Sequence, residues 1–241
     1  MFPIRDHNPA TRPPWITQGL IALNIVIFIA TMPWAGGLTG LWNLGALYPA
    51  AITQGVWLHG LFTHMFLHAG LMHLAGNMLF LWVFGDNMEE QLGHLGFLLF
   101  YLLGGLAAAG AQIAATPFST IPMVGASGAI AAVMGGYLLM FPRARIDVLF
   151  IIVILVRIIP IPAWLVLGGW FVLQLLNGST AGSGGGVAYW AHAGGFAAGV
   201  LLMIPHWLKR GGPAWWQRTH GRPPHPETFA ATTVPVVRRR R

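Results

Sequence analysis

The chain has 241 residues, of which 56% are hydrophobic and only 8% are charged, and its mean hydropathy is +0.65. This composition excludes an ordinary soluble domain, and the absence of cysteine excludes disulfides and thiol chemistry. Residues 13–85, 91–142 and 158–208 contain no Asp, Glu, Lys or Arg. Because a membrane helix needs about 20 apolar residues, these stretches can hold several spans within one helical bundle.

Six helices are predicted from the apolar segments, in a domain that covers residues 16–208. They comprise residues 16–32, 71–90, 95–114, 127–141, 163–176 and 187–208. A short lead, residues 1–15, precedes this domain and has no features of a signal peptide. A basic, Pro-rich tail, residues 209–241, follows it and is expected to be disordered.

The connections between the predicted helices differ in character. Residues 35–70 form a long, uncharged loop with two Trp, which we expect at the membrane interface. Residues 146–159 are apolar but short, β-branched and close to two prolines, so we predict an interfacial connection there and not a seventh span. Residues 178–186 contain five glycines, which suits a mobile flap or simply a flexible loop.

The positive charges predict the orientation of the six helices. With a cytoplasmic N-terminus, all 13 Lys and Arg fall on the inner side, in the lead, in the connection after the fourth helix and in the tail. The outer loops carry none, as the positive-inside rule requires. The predicted fold is therefore an all-α membrane protein, a bundle of six transmembrane helices with both termini in the cytoplasm.

Two polar residues in the charge-free stretches suggest chemistry. Ser127 lies in the segment GASG, and His192 lies in the segment AHAGG. A hydroxyl and an imidazole are costly in lipid unless they have a function or a partner. A nucleophile and a base without any nearby carboxylate predict acyl transfer by a Ser-His dyad. The alternative is that His192 is a satisfied structural histidine.

Small residues near both side chains predict that their helices lie close together. Those on the predicted faces are Ala131, Gly135, Gly195 and Gly199. Such spacing lets membrane helices approach closely, although plain packing explains it as well. The short fourth helix must begin below the outer surface, so residues 116–122 are expected to dip into the protein. Ser127 would then lie at a helix N-terminus, where a developing negative charge is favoured.

Other polar residues could assist. His73 and Asn77 lie four residues apart on the second helix, so they share a face and could form an oxyanion hole with the Ser127 N–H. The alternative is an interhelical hydrogen-bonded pair. His59, His64, His68 and His73 could also be read as a metal cluster, but no Cys or carboxylate accompanies them. We therefore expect no metal and assign His64 and His68 to structural hydrogen bonds.

Together these segments resemble the rhomboid family of intramembrane serine proteases, over residues 16–208. The matching features are the run FLHAGLMHLAGN that ends at Asn77, the GASG segment with Gly125, Ser127 and Gly128, and His192 with Gly195 and Gly199. The resemblance implies a six-helix bundle that cuts single-span membrane proteins near the outer surface. It makes Ser127 the nucleophile, His192 the base, and His73 and Asn77 the oxyanion donors.

Two features depart from the family pattern. The outer loop of the family usually carries Trp-Arg, whereas His59 and Gly60 occupy these positions here. Many members place an aromatic residue four positions after the serine, against the histidine, whereas this chain has Ala131. The first departure bears on the stability of the loop, and the second leaves the orientation of His192 less constrained.

The expected partners are transmembrane protein substrates and membrane lipids, with anionic headgroups at the closing run of arginines. No cofactor and no nucleic acid are expected, and a prokaryotic plasma or inner membrane is the expected location. The rival functions are an inactive rhomboid-like protein that binds membrane helices without cleaving them, and a small transporter. The intact Ser/His pair argues against the first, and the lack of charged residues in the spans argues against the second.

Overall fold

The computed structural model describes residues 2–32, 39–152, 155–180 and 187–223. In chain order its helices are α1 (Trp15–Thr31), α2 (Thr39–Gly45), α3 (Pro49–Thr53), α4 (Gly60–Thr63), α5 (Leu71–Leu92), α6 (His94–Ala115), α7 (Ser127–Met140), α8 (Ala163–Thr180), α9 (Tyr189–Lys209) and α10 (Pro213–Thr219). Its strands are β1 (Phe2–Asp6), β2 (Arg145–Ile152) and β3 (Leu155–Pro162), and a 3₁₀ turn lies at His64–Phe66.

All six predicted helices are present, as α1, α5, α6, α7, α8 and α9. The largest difference lies at the end of α8, which continues past Leu176 to Thr180. The hydroxyls of Ser179 and Thr180 donate to the Leu176 carbonyl at 2.8 and 2.9 Å, so the polar last turn provides its own partners. The sequence prediction missed this last turn because it ended the helix at the last apolar residue, whereas side-chain bonds to the backbone extend the helix.

The described helices differ in their capacity to cross a membrane. By length and apolar composition α6 and α9 can each cross one, and the bent pair Gly60–Phe66 and Leu71–Leu92, at 91°, can form a third span. The helices α1 and α7 are apolar but have only 17 and 14 residues. The bundle therefore contains membrane-spanning helices, in agreement with the composition of the chain.

The centre of the bundle is α7. Nearly every residue from Gly128 to Tyr137 is buried, including the aromatic ring of Tyr137. The neighbouring helices α5, α6 and α9 surround it, and α8 packs mainly against α9 and also contacts α7. A helix that is apolar on all sides is stable only when it is enclosed, which explains the central place of this short segment.

The predicted outer loop contains the short helices α2, α3 and α4, and residues 33–38 lie outside the described part of the chain. Polar side chains hold it together through backbone carbonyls. The bonds are Trp42 Nε1 to His68 O at 3.1 Å, Trp57 Nε1 to Ala46 O at 3.1 Å, His59 Nε2 to Leu44 O at 2.7 Å and Thr63 Oγ1 to Gly45 O at 2.6 Å. The loop is thus well bonded although it lacks the usual Trp-Arg pair.

The all-α expectation needs one correction, because the chain contains a three-stranded antiparallel sheet of order β1-β2-β3. The segment 146–159 forms most of a hairpin, and the N-terminal lead supplies the third strand. Asp147 fastens the lead to the hairpin, since it accepts a bond of 2.6 Å from Arg5 and lies 2.8 Å from His7 Nε2. A β-branched apolar run satisfies its backbone by pairing, and residues 2–6 extend that pairing.

The expectation of a disordered tail is wrong for its first part. Helix α10 packs against the end of α7, and its Trp215 and Trp216 donate to the carbonyls of Met140 and Leu139 at 3.4 and 2.9 Å. Trp215 is buried and Trp216 is half-buried, and their bonded indoles outweigh the polar composition around them. The run of arginines at 238–241 and residues 181–186 of the predicted flap lie outside the described residues.

Three features that the sequence analysis did not predict lie at one end of the bundle, namely strand β1, the β2–β3 hairpin and helix α10. Strand β1 pairs with the hairpin that follows α7, and Arg143 N donates to Gly221 O at 2.8 Å, next to α10. Ser127 lies at the opposite end of α7. The lead, the hairpin and the start of the tail therefore share one side, away from the candidate nucleophile.

Candidate active site

The segment before α7 carries Ser127 into the protein. Met123 exchanges two backbone hydrogen bonds with Leu47, of 2.8 and 3.0 Å, and Gly125 N donates to His64 O at 2.9 Å. These bonds satisfy irregular backbone at depth, as a membrane interior requires. The buried part is residues 123–126, whereas Phe118 is 82% exposed. The expected dip thus begins at Met123, later than predicted. None of residues 116–122 is buried, although Pro117 O and Ser119 O accept hydrogen bonds from Thr53 and Ala50 of α3.

Glycine is required at position 125 by the backbone conformation and by the neighbouring His73 side chain. Its φ of 130° lies in a region that favours glycine, and a Cβ there would lie 2.8 Å from the His73 imidazole. The same Cβ position is 3.5 Å from Ser127 Oγ. The absence of a side chain at Gly125 therefore lets His73 approach the nucleophile.

Helices α7 and α9 touch through their backbones. A Cβ on Gly199 would overlap the Ala132 carbonyl, and one on Gly195 would overlap the Gly128 carbonyl. A Cβ on Gly135 would overlap the backbone of α9 in turn. The face of α7 that meets α9 is thus Gly128, Ala132 and Gly135, which corrects the predicted face through Ala131. Gly195 and Gly199 both lie at this contact, where the sequence predicts a close approach of the two helices.

This contact brings the two candidate catalytic side chains together. Ser127 Oγ and His192 Nε2 lie 2.8 Å apart, from residues 65 positions apart in the chain. Both are half-buried and line a cavity of about 860 Å³. A hydroxyl in hydrogen-bond contact with an imidazole, at the edge of a cavity, is the arrangement of an activated serine nucleophile.

The other side of the imidazole is also held. His192 Nδ1 lies 2.9 Å from Gln174 Oε1, and the Trp170 ring lies over His192 with centroids 5.7 Å apart. Both residues belong to α8 and were not singled out by sequence analysis. The expectation that His192 is loosely oriented is therefore wrong: Ala131 provides no ring, but Trp170 packs from another helix. The available signal was one glutamine in the apolar segment of α8.

The two predicted oxyanion donors line the same cavity. Asn77 is buried, yet its Nδ2 has no hydrogen-bond partner among the residues that the structure describes. His73 Nδ1 accepts a long bond of 3.4 Å from Ala69 N, so the neutral ring carries its proton on Nε2, which lies 2.9 Å from the position of a Cβ on Gly125. The Ser127 N–H belongs to the first turn of α7 and has no carbonyl within that helix.

A further glutamine supports the start of α9. Gln112 Oε1 accepts a hydrogen bond of 3.2 Å from the backbone N–H of Ala191, and its Nε2 donates to Thr116 Oγ1 at 3.1 Å. The Ala191 N–H lies in the first turn of α9, where helical carbonyls are lacking. Gln112 thus fixes the turn from which His192 projects.

The remaining histidines of the loop have structural contacts. His64 Nδ1 bonds to the Gly60 carbonyl at 2.8 Å, as predicted. The predicted hydrogen bonding of His68 is wrong: neither ring nitrogen has a hydrogen-bond partner among the described residues, and the ring packs edge-on against His73 with centroids 5.2 Å apart. Within the described residues no group of three or more His, Asp or Glu has a geometry that could hold a metal ion.

Comparison with known proteins shows the family to which the chain belongs. The family model of the Rhomboid domain matches residues 54–208, more than half of the chain. The chain belongs to the rhomboid family. This assignment agrees with the resemblance in the sequence and makes the protein a member of a family of membrane-embedded proteases.

Several relatives are similar over much of the chain. The rhomboid protease GluP of Bacillus subtilis is 35% identical over 195 residues, which cover 80% of this chain and 36% of GluP. The mitochondrial RHOMBOID-like protein 6 of Arabidopsis thaliana is 39% identical over 56% of this chain and 54% of that protein. The mitochondrial rhomboid protein 1 of Saccharomyces cerevisiae is 27% identical over 79% of this chain and 53% of that protein. The chain thus spans about a third to a half of these relatives.

Proposed function

We propose that this rhomboid is an intramembrane serine endopeptidase that hydrolyses peptide bonds of single-span membrane proteins. The observation that carries the proposal is the contact of 2.8 Å between Ser127 Oγ and His192 Nε2 at the edge of the cavity. Asn77 Nδ2, a nearby donor with no hydrogen-bond partner in the described part of the chain, supports acyl transfer, since such a donor can stabilise an oxyanion. The relative GluP is a rhomboid protease, in agreement with this chemistry.

The reaction has two steps. In the first, His192 Nε2 takes the proton of Ser127, and Oγ attacks the scissile carbonyl carbon. The negative charge on the carbonyl oxygen is stabilised by His73 Nε2–H, Asn77 Nδ2–H and the Ser127 N–H. The imidazolium then protonates the leaving amine, and the C–N bond breaks to give an acyl-enzyme.

The second step repeats this chemistry with water. His192 takes a proton from a water molecule, whose oxygen attacks the ester carbonyl, and the same donors stabilise the oxyanion. The C–Oγ bond breaks, and the proton returns to Ser127. Water must reach the cavity from the side of the membrane at which Ser127 lies, so that end of the bundle is expected to face the aqueous phase.

The proposed topology has six spans with both termini in the cytoplasm of a cell membrane. The lead, the hairpin and α10 share one end of the bundle, which fits an even number of spans. All Lys and Arg of the chain belong to these regions or to the rest of the tail, in accord with the positive-inside rule. Reporter fusions at the N-terminus, near Arg143 and near Ser183 test this. An outside signal at either of the first two, or an inside signal at the third, would contradict it.

The proposed activity is tested with purified protein in lipid vesicles and a tagged single-span substrate. We expect two fragments from the wild type and none from Ser127→Ala, with the cleaved bond identified by mass spectrometry. Substrate capture by both proteins without cleavage by either would instead indicate a rhomboid-like protein that binds membrane helices.

A further inference from the structure

We propose that Gln174 is a positioning residue, which fixes the tautomer and the orientation of His192. This inference rests on the proposed function, because it concerns the residue assigned as the base. Gln174 lies 18 positions before His192 in the chain, on the neighbouring helix α8. It would complete a chain of contacts from Gln174 through the imidazole to Ser127.

The position of Gln174 on α8 is unusual for a polar residue. The buried residues of this helix are Ala163, Leu167 and Gln174, and Trp170 packs toward the same side. This spacing defines the face that α8 turns toward α9, and apolar side chains usually occupy such a face. An amide that is only 8% exposed there is costly unless it is hydrogen-bonded, and its partner is the imidazole of His192.

The amide is oriented by its second contact. Gln174 Nε2 donates to the Trp170 carbonyl at 3.4 Å, which directs the amide oxygen toward His192 Nδ1 at 2.9 Å. An oxygen can only accept, so the proton of the neutral ring must lie on Nδ1. The lone pair of Nε2 then faces Ser127 Oγ, as a general base requires.

Within the described residues no other contact fixes the tautomer of His192, because Trp170 packs ring against ring and accepts no hydrogen bond from the imidazole. The titratable groups that line the cavity with His192 are His64, His73 and Tyr189, beside Ser127, and no carboxylate is among them. In the opposite tautomer, Nε2 would carry the proton and could not accept the one from Ser127. A neutral acceptor on Nδ1 excludes that state without placing a charge inside the membrane.

The experiment compares Gln174→Met and Gln174→Glu with the wild type. Methionine has nearly the same length and shape but no strong acceptor, whereas glutamate keeps an acceptor oxygen. The matched control is Leu173→Met, because Leu173 is the preceding residue of α8 and is 54% exposed. Each protein is assayed for cleavage of a single-span substrate in vesicles. Each is also labelled with ¹⁵N-histidine, and the signal of His192 is assigned by its loss in His192→Ala.

We expect Gln174→Met to lower kcat by about 10- to 100-fold with little change in KM, the effect of losing one buried hydrogen bond from the transition state. Gln174→Glu should retain more activity than Gln174→Met, and Leu173→Met should match the wild type within about threefold. The ¹⁵N spectrum should show the Nδ1–H tautomer in the wild type and a mixture of tautomers in Gln174→Met.

Three results would overturn the proposal: an Nε2–H tautomer in the wild type, a tautomer unchanged in Gln174→Met, or Gln174→Glu no more active than Gln174→Met. A fall in rate with an unchanged tautomer would assign Gln174 to packing alone. Failure of the proposed function looks different, since the wild type would neither cleave substrate nor react with a fluorophosphonate. The ¹⁵N spectrum of such a protein still tests whether Gln174 fixes the ring.

Discussion

Gly199 of α9 lies directly against the backbone carbonyl of Ala132 in α7, so closely that a Cβ on Gly199 would overlap this carbonyl. A neighbouring backbone cannot rotate away as a side chain can. A larger residue at position 199 must therefore separate α7 from α9. Because Ser127 and His192 belong to these two helices, their contact depends on a residue that takes no part in the reaction.

Gly199→Val should therefore lose activity although it alters no reacting group. A displacement of about 1 Å can cost about 100-fold in rate, and we expect a loss of at least this order in the cleavage assay. The control is Gly110→Val, because a Cβ on Gly110 of α6 would meet no neighbouring atom within 4 Å. Full activity of Gly199→Val in a protein that inserts normally would show that the close contact is not needed.

The oxyanion assignment predicts a graded effect of Asn77. Asn77→Ala removes the unpartnered donor and should lower kcat by about 100- to 1000-fold, or about 3 to 4 kcal/mol. Ser127 should still react with a fluorophosphonate, because nucleophile and base remain. Asn87→Ala on the same helix is the control, since the Asn87 amide donates a hydrogen bond to the Asp86 carboxylate and Asn87 does not line the cavity. An Asn77→Ala rate within about threefold of the wild type would assign Asn77 to packing.

The dyad predicts non-additive losses. Ser127→Ala and His192→Ala should each abolish detectable cleavage, and the double variant should be no worse than either, because the two residues act as one unit. Single-turnover rates on a membrane substrate measure this. His206→Ala, near the other end of α9, is the matched histidine control and should stay within about threefold of the wild type. Substantial cleavage by His192→Ala would exclude His192 as the base.

Much of the fold follows from the sequence because membrane helices leave a strong signal. Apolar segments and the distribution of Arg residues are sufficient for the six helices. The sheet leaves no such signal, because β1 pairs with residues about 140 positions away, at Phe2 and Leu149 for example. Helix α10 was missed because its stability comes from Trp215 and Trp216 against α7, and composition alone indicates a polar tail.

The candidate site likewise contains residues that the sequence predicted and residues that it missed. Ser127 and His192 are conspicuous because polar residues are expensive in lipid, and Gly199 because small residues mark close helices. Gln174 and Trp170 act through a helix that is adjacent only in the folded protein. Their role depends on which face of α8 points inward, and the sequence of α8 does not determine this.

Asp6 predicts a pH dependence of stability at the end of the bundle away from Ser127. It accepts a hydrogen bond of 2.7 Å from the buried Tyr137 hydroxyl. Burial, and then the charge of Asp86, raises the pKa of Asp6 to about 8. An unfolded Asp has a pKa of about 3.9, so the folded protein holds this proton more tightly. The stability gained is complete below about pH 4 and is lost as the pH rises to about 8.

The melting temperature of Asp6→Asn should therefore fall less than that of the wild type between pH 5 and pH 8. Asp147→Asn is the control. Burial raises the pKa of Asp147, but hydrogen bonds from Arg5 and His7 outweigh it and hold that pKa below its usual value. The contribution of Asp147 is lost only as the pH falls below about 4, so its variant should keep the wild-type slope between pH 5 and 8. Equal slopes for Asp6→Asn and the wild type would contradict the role of Asp6.

The central claim is that His192 activates Ser127 as the nucleophile of a serine hydrolase. The most direct measurement exposes purified protein in detergent to a fluorophosphonate and identifies the modified residue by mass spectrometry. We expect a single adduct on Ser127 in the wild type, strongly slowed labelling in His192→Ala and no labelling in Ser127→Ala. A wild-type protein in which Ser127 stays unmodified, or in which His192→Ala labels at the wild-type rate, would contradict this claim.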